Sequence, residues 1–234
     1  MTRAKLLSSV ALLALTIGSA HGQGLGAPRV PVAMTSGVAN WTGAYAGALL
    51  GAGIGQNRWT DIGGIYNPPN TSFTSSPVGV ALGLFAGYNW QTSANLVFGI
   101  EADITYNTAS GSAHVSGGYA FVNSKSQFAG SLRGRAGVAV DKALFYVTGG
   151  LAFGNPSQSY VDNGFVVARS DSFRLGYVVG LGSEYMVSQN WTVRLEALYY
   201  DFGTNRPRDL TNNGYSFASR SSQIQVRAGA AYRF

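Results

Sequence analysis

Apolar and polar residues alternate with a period of two along most of this chain, the mark of strands whose two faces meet different surroundings. Over residues 95–106, Phe98, Ile100, Ala102, Ile104 and Tyr106 share one face, and Glu101, Asp103 and Thr105 the other. Residues 78–90 set Val80, Leu82, Leu84, Ala86, Tyr88 and Trp90 against Gly79, Ala81, Gly83, Gly87 and Asn89. The same code predicts strands over 127–140, 143–154, 172–186 and 191–202. A final strand ends over 225–234, where Gln225, Arg227, Gly229, Ala231 and Arg233 oppose Val226, Ala228, Ala230, Tyr232 and Phe234. Residues 41–54 are a further strand of undetermined facing, since both of their alternating sets are apolar or small. Gly43, Gly47 and Gly51 there have the spacing of a glycine-zipper helix. The segment is too short to cross a bilayer as a helix, and each glycine costs a helix about 1 kcal/mol.

The connections carry as much information as the strands. Polar stretches over 56–77, 107–126, 155–171 and 203–220 alternate with short turns at 91–94, 141–142 and 188–190. Eight strands with this long–short rhythm predict an all-β fold, an eight-stranded antiparallel transmembrane barrel with both ends and three turns on one side. A soluble eight-stranded calyx shares the count but has no use for aromatic rims. Trp41, Trp90, Phe145, Tyr185, Trp191, Tyr232 and Phe234 fall beside short turns or termini, and Tyr106, Phe128, Phe153, Phe173 and Tyr199 beside long connections. Two such rows predict the girdles that bracket an apolar band.

Composition narrows the class. Of 234 residues only 11% are charged, none is cysteine and 32 are glycine, whereas a soluble domain carries about 25% charge. The mature chain has no apolar run of the roughly 18 to 20 residues that a spanning helix needs, which leaves a closed barrel as the membrane solution. At the N-terminus, Arg3 and Lys5 precede an apolar core over 6–17 and the small residues Gly18, Ser19 and Ala20. This predicts a secretory signal peptide over 1–22, cleaved after Ala20 or Gly22, then a flexible leader over 23–40 and the barrel over 41–234. The formal charge of +6 has no dense basic run behind it, so nucleic acid is not an expected partner.

Inward-facing positions hold the charge. Glu101 and Asp103 neighbour Arg133 and Arg135 on the next strand. Arg174, Glu184, Arg194, Glu196 and Arg227 complete the set. An eight-stranded barrel is just wide enough to be filled by side chains, and buried charges must be paired, so an ionic plug is expected. Adding Arg233 makes six arginines to four acids, and any leak through the lumen would favour anions. For catalysis, His114 beside Ser112 and Ser116 is the one histidine of the mature chain in a reactive-looking setting, and loop serines are ordinary turn residues. His21 lies at the cleavage site. No phosphate loop, metal cluster or cofactor motif occurs.

The segments GYNWQ (residues 87–91), FGIEADI (98–104), SLRGRAG (131–137), YVTGGLAFG (146–154), VRLEALYYDFG (193–203) and the final AYRF stand in one order. They are similar to the opacity-like, outer-membrane immunogenic porin family of Gram-negative bacteria, notably α-proteobacteria. Arg227, Gly229, Tyr232 and Phe234 resemble the C-terminal signal read by the barrel-assembly machinery. The resemblance implies an outer-membrane barrel with loops exposed outside and termini in the periplasm, non-enzymatic, serving envelope integrity and surface contact. A small diffusion pore is the second expectation, and a lipid-modifying enzyme a remote third. Aromatic, Ser- and Gly-rich loops suit host or extracellular ligands. Arg58, Lys125, Arg169, Arg206, Arg208 and Arg220 equally suit the phosphates of lipopolysaccharide.

Overall fold

The structure, a computed structural model, describes residues 38–63, 70–114, 120–162, 165–170, 173–209 and 216–234. The expected signal peptide and most of the leader lie outside these residues. Eight long strands make up the fold: β1 (Gly43–Asp61), β2 (Val78–Gln91), β3 (Leu96–Asn107), β4 (Ala120–Val140), β5 (Ala143–Asp162), β6 (Arg174–Met186), β7 (Trp191–Asn205) and β8 (Phe217–Arg233). Each pairs antiparallel with its neighbour in the chain, and β8 pairs with β1, which closes the sheet into a barrel.

The alternation of the sequence becomes an inside and an outside. Leu82, Leu84, Ile100, Ile104, Leu132, Val147, Leu151, Leu181 and Leu195 are all more than half exposed, a continuous apolar exterior that only lipid can cover. Pairing decides the facing that β1 alone left open. Leu50 stands opposite the outward Leu82, and Gly51 opposite the inward Arg227. Leu50 and Ile54 are therefore outside, while Tyr45 and Leu49 are buried inside.

At one end the hairpins are tight. Asp141 opens the β4–β5 turn at φ 50°, and Asn95 closes the β2–β3 turn at φ 60°, left-handed conformations that Asp and Asn tolerate. At the other end the strands run well beyond the apolar band. The polar stretches expected as loops are largely paired backbone. β1 continues to Asp61 and pairs with the short strand Thr71–Ser75; β4 pairs with Ser110–His114; β5 continues to Asp162 and folds back as Phe165–Ser170, which also pairs with Arg208–Asp209. Polar side chains mark the end of the apolar band, not the end of the ladder, because backbone amides need partners on either side of that border.

Two further expectations are corrected. Trp41 is 1% exposed, so it is not part of the outward girdle. It turns into the barrel mouth and packs with Val97, Ala139, Leu144, Tyr146 and Met186, with Val38 and Ala39 against them. Arg233 lies over its ring at 5.6 Å. The last residues of the expected flexible leader are thereby held: Ala39 N–H donates to the Asp141 carbonyl at 2.8 Å. An indole enclosed by these apolar neighbours inside the mouth gains more from burial than one at the rim. The other residues of that row, from Trp90 to Phe234, do face outward.

Candidate functional site: a charged belt across the lumen

The lumen is filled in tiers. Above the Trp41 cluster lie Tyr45, Leu49, Phe85 and Ala231, and towards the hairpin end Ala152, Val178, Leu198, Tyr200 and Phe202. Beyond the apolar band, Trp59, Tyr160 and Phe217 form a fourth cluster, with Tyr160 stacked on Phe217 at 5.0 Å. Between the first and last of these tiers runs a belt of charge.

Strand register places acid against base three times: Glu101 opposite Arg133, Glu184 opposite Arg194, and Glu196 opposite Arg227. Closure then adds partners across the lumen to those on neighbouring strands. Arg194 on β7 donates to Glu101 on β3, the opposite wall, at 2.7 Å. Arg227 on β8 reaches Asp103 at 3.0 Å and Glu196 at 3.1 Å. Arg135 reaches Glu184 at 3.1 Å. Arg133 bonds Glu101 and lies 3.4 Å from Asp103 and 3.5 Å from Glu196. All eight groups are at most 5% exposed.

Neutral groups complete the belt. The Tyr45 hydroxyl donates to Glu101 at 2.9 Å and that of Tyr146 to Glu196 at 2.7 Å. Asn89 Oδ1 accepts from Arg135 Nε at 2.8 Å, and Ser131 donates to Asp103. The Arg194 guanidinium lies 3.6 Å above the centre of the Phe85 ring, where the ring quadrupole supports a desolvated cation. Inward glycines make the room. A Cβ on Gly87 would collide with the Tyr45 hydroxyl, and one on Gly182 would sit 2.6 Å from the Tyr146 ring.

Of the expected lumen residues, Glu101, Asp103, Arg133, Arg135, Glu184, Arg194, Glu196 and Arg227 meet in this one network. Arg174 is buried but stands towards the hairpin end, where its Nη1 donates to Ser221 at 3.2 Å. Arg233 sits in the turn-end mouth and donates to the Asn40 carbonyl at 2.6 Å. The belt itself therefore holds four arginines and four acids, and the six-to-four anion bias depends on residues at its two mouths. Tyr45, Phe85, Tyr146 and Tyr200 were not named from sequence. Their inward parity on alternating strands was the available signal, obscured for Tyr45 by the ambiguous β1.

Outside the lumen, Asp201 lies one outward step beyond Tyr199 and so past the apolar band. It accepts from Arg220 at 2.7 Å, from the Gly203 N–H at 2.8 Å, and from Tyr177 and Tyr199 at 3.4 Å. Burial works against its charge, but the bonds from Arg220 and Gly203 outweigh it and hold the carboxyl below the usual range. Gly203 reaches this position at φ 68°. Of the residues weighed for catalysis, His114 ends the strand Ser110–His114, and His21 and Ser116 lie outside the described residues. Among the described residues no group of three His, Asp or Glu could hold a metal ion.

Sequence and fold comparisons agree with this geometry. Residues 10–234 match the family model described as an outer membrane protein beta-barrel domain. The chain is 30% identical over 240 residues to the 31 kDa outer-membrane immunogenic protein of Brucella melitensis, covering 98% of each. It is 32% identical over 183 residues to a 22 kDa outer membrane protein of Rhizobium leguminosarum, covering 78% of this chain and 80% of that one. The solved outer membrane protein OprG from Pseudomonas aeruginosa aligns with a TM-score of 0.53 at 13% identity, over 85% of this chain and 98% of that one, a likeness of fold alone. An apolar exterior, a closed eight-stranded meander and these relatives lead to one assignment: the chain belongs to the outer-membrane β-barrel family, among the small outer-membrane immunogenic proteins of Gram-negative bacteria.

Proposed function

We propose that this protein is a closed, non-enzymatic scaffold of the outer membrane, which strengthens the envelope and carries paired hairpins into the surroundings of the cell. In this reading the tight turns and both termini face the periplasm, and the long hairpins face outward. The observation that carries it is the belt, whose eight charges are matched four to four and tied wall to wall. An ion entering the lumen would have to displace a partner from a buried pair, and breaking such a pair costs about 3–5 kcal/mol. The names of the relatives, outer-membrane immunogenic proteins, fit a chain whose outer hairpins are accessible. Arg227, Gly229, Tyr232 and Phe234, on the strand that closes the barrel, are offered to the assembly machinery.

Single-channel recording of the refolded barrel in planar bilayers tests the reading. The wild type is expected to stay silent, and Arg133→Ala combined with Arg135→Ala to flicker, because two cations leave the belt. Stable, salt-dependent steps from the wild type would make the protein a diffusion pore and sink the scaffold reading.

A further inference from the structure

On the outer wall, just above the apolar band, two arginines stand side by side. Arg58 on β1 is the direct cross-strand partner of Arg220 on β8. Both point outward, two register steps past the exposed pair Ile54 and Ile224. Like charges directly opposite each other on one face of a sheet destabilise it. Asp201 answers one of them, since Arg220 donates to it at 2.7 Å. Among the described residues the Arg58 side chain has no hydrogen-bond or ion-pair partner. The two guanidiniums overhang a polar cleft of about 350 Å³, lined also by Gln56, Thr74, Tyr199 and Ser222. One side is closed by the backward strand Thr71–Ser75, in which Thr74 pairs with Arg58.

This cleft differs from the other outward concavities. A hollow of about 660 Å³ over Ala46, Ala86 and Ala102 is walled by Leu84 and Ile104 and simply offers acyl chains a dent. The Arg58–Arg220 cleft instead presents two guanidiniums, three hydroxyls and a carboxamide at the height where headgroups lie. Guanidinium pairs suit tetrahedral oxyanions, which accept several N–H bonds at once.

We propose that Arg58 and Arg220 form a binding cleft for the phosphorylated sugar headgroup of a lipopolysaccharide molecule in the outer leaflet. The headgroup phosphate takes Arg58 and the free edge of Arg220, Ser222 and Gln56 add hydrogen bonds, and the acyl chains run down over Ile54 and Ile224. The choice of lipopolysaccharide over a phospholipid rests on the outward placement of the hairpins proposed above, and on a cleft wide enough for a sugar. The bound lipid would seal the β1–β8 seam, where the barrel closes, at its upper end.

Arg58→Ala is the informative variant, because its side chain has no hydrogen bond or ion pair to lose among the described residues, whereas Arg220→Ala also strips Asp201. The refolded barrel is incubated with rough lipopolysaccharide, with the same material dephosphorylated, and with phosphatidylglycerol. Retained lipid is counted by native mass spectrometry. The wild type is expected to retain one phosphorylated lipopolysaccharide, with at least a tenfold preference over either alternative. Arg58→Ala is expected to lose retention at least tenfold while keeping the wild-type heat-modifiable mobility, and Arg58→Lys to recover part of it. Equal retention by Arg58→Ala, equal retention of the dephosphorylated form, or no preference over phosphatidylglycerol would each overturn the proposal. The chain has no cysteine, so Ser72→Cys labelled on intact cells by an impermeant maleimide reads orientation separately. Labelling supports the outer-leaflet placement. A protected Ser72→Cys would overturn both that placement and the cleft, whereas labelling alongside a failed retention test would sink the cleft alone.

Discussion

Removing the charge of Glu101 while keeping its shape is the sharpest probe of the belt. Glu101 accepts from Arg194 at 2.7 Å and from Tyr45 at 2.9 Å, bonds Arg133, and lies 3.5 Å from Arg135. Glu101→Gln leaves one carbonyl oxygen for these donors and turns an amide NH2 towards a guanidinium. Hydrogen bonds to charged groups contribute about 1.5–3 kcal/mol each, and at least one is lost outright. The belt also becomes a buried cluster of four arginines and three acids. Breaking a buried pair from one side costs about 3–5 kcal/mol, and the two routes agree on a loss of about 3 kcal/mol. That is a large share of the roughly 5–15 kcal/mol that holds a typical domain together. Urea unfolding in lipid vesicles, followed by tryptophan fluorescence and by the heat-modifiable shift on gels, reads the difference. Arg194→Met in the same chain restores the charge balance, because Glu184 keeps Arg135 at 3.1 Å. The double variant should therefore be more stable than the sum of the two single losses predicts, by about 1–3 kcal/mol. A Glu101→Gln barrel within about 1 kcal/mol of wild type, or strict additivity with Arg194→Met, would refute the view that the belt acts as one paired unit.

Three other perturbations test neighbouring parts of the argument. Gly87→Ala drives a methyl into the Tyr45 hydroxyl and the Ile100 carbonyl, and overpacking of this kind costs about 1–3 kcal/mol; unchanged urea midpoints would show that Tyr45 is not held against that wall. Trp41→Ala empties the mouth cluster and should destabilise by about 3–5 kcal/mol, with susceptibility of the β4–β5 turn to protease as a second readout; a variant as stable and as resistant as wild type would return Trp41 to the rim. Phe234 is 79% exposed on the outer wall and its ring meets that of Tyr232, at 5.3 Å, so Phe234→Ala should cost unfolding in vesicles no more than about 0.5–1.5 kcal/mol yet slow assembly in cells. Normal cellular assembly would remove Phe234 from the expected recognition signal.

How far the sequence reaches is visible in particular residues. Period-two alternation in seven strands is a local property, and with the long–short rhythm of the connections it determined the strand count, the closed-barrel class and the facing of residues such as Glu101, Arg133, Leu132 and Ile100. Every charged group of the belt was legible in this way, because parity needs only the residue before and the residue after. Adjacent pairs such as Glu101 with Arg133 and Glu184 with Arg194 were legible too, since strands consecutive in a meander pair with each other whether the turn between them is long or short. What remained hidden depends on closure. Only when β8 meets β1 does Arg194 face Glu101 across the lumen, does Gly51 meet Arg227 and reveal the facing of β1, and does Arg58 come to stand beside Arg220. Trp41 was misplaced for a related reason: its position at a strand end is local, but the Val97–Leu144–Met186 pocket that receives it is assembled from three hairpins. The hairpin extensions escaped because polarity reports the solvent a side chain meets, not whether its backbone is paired. Facing is decided along the chain, whereas partnership is decided across the barrel, by register and shear that no single strand contains.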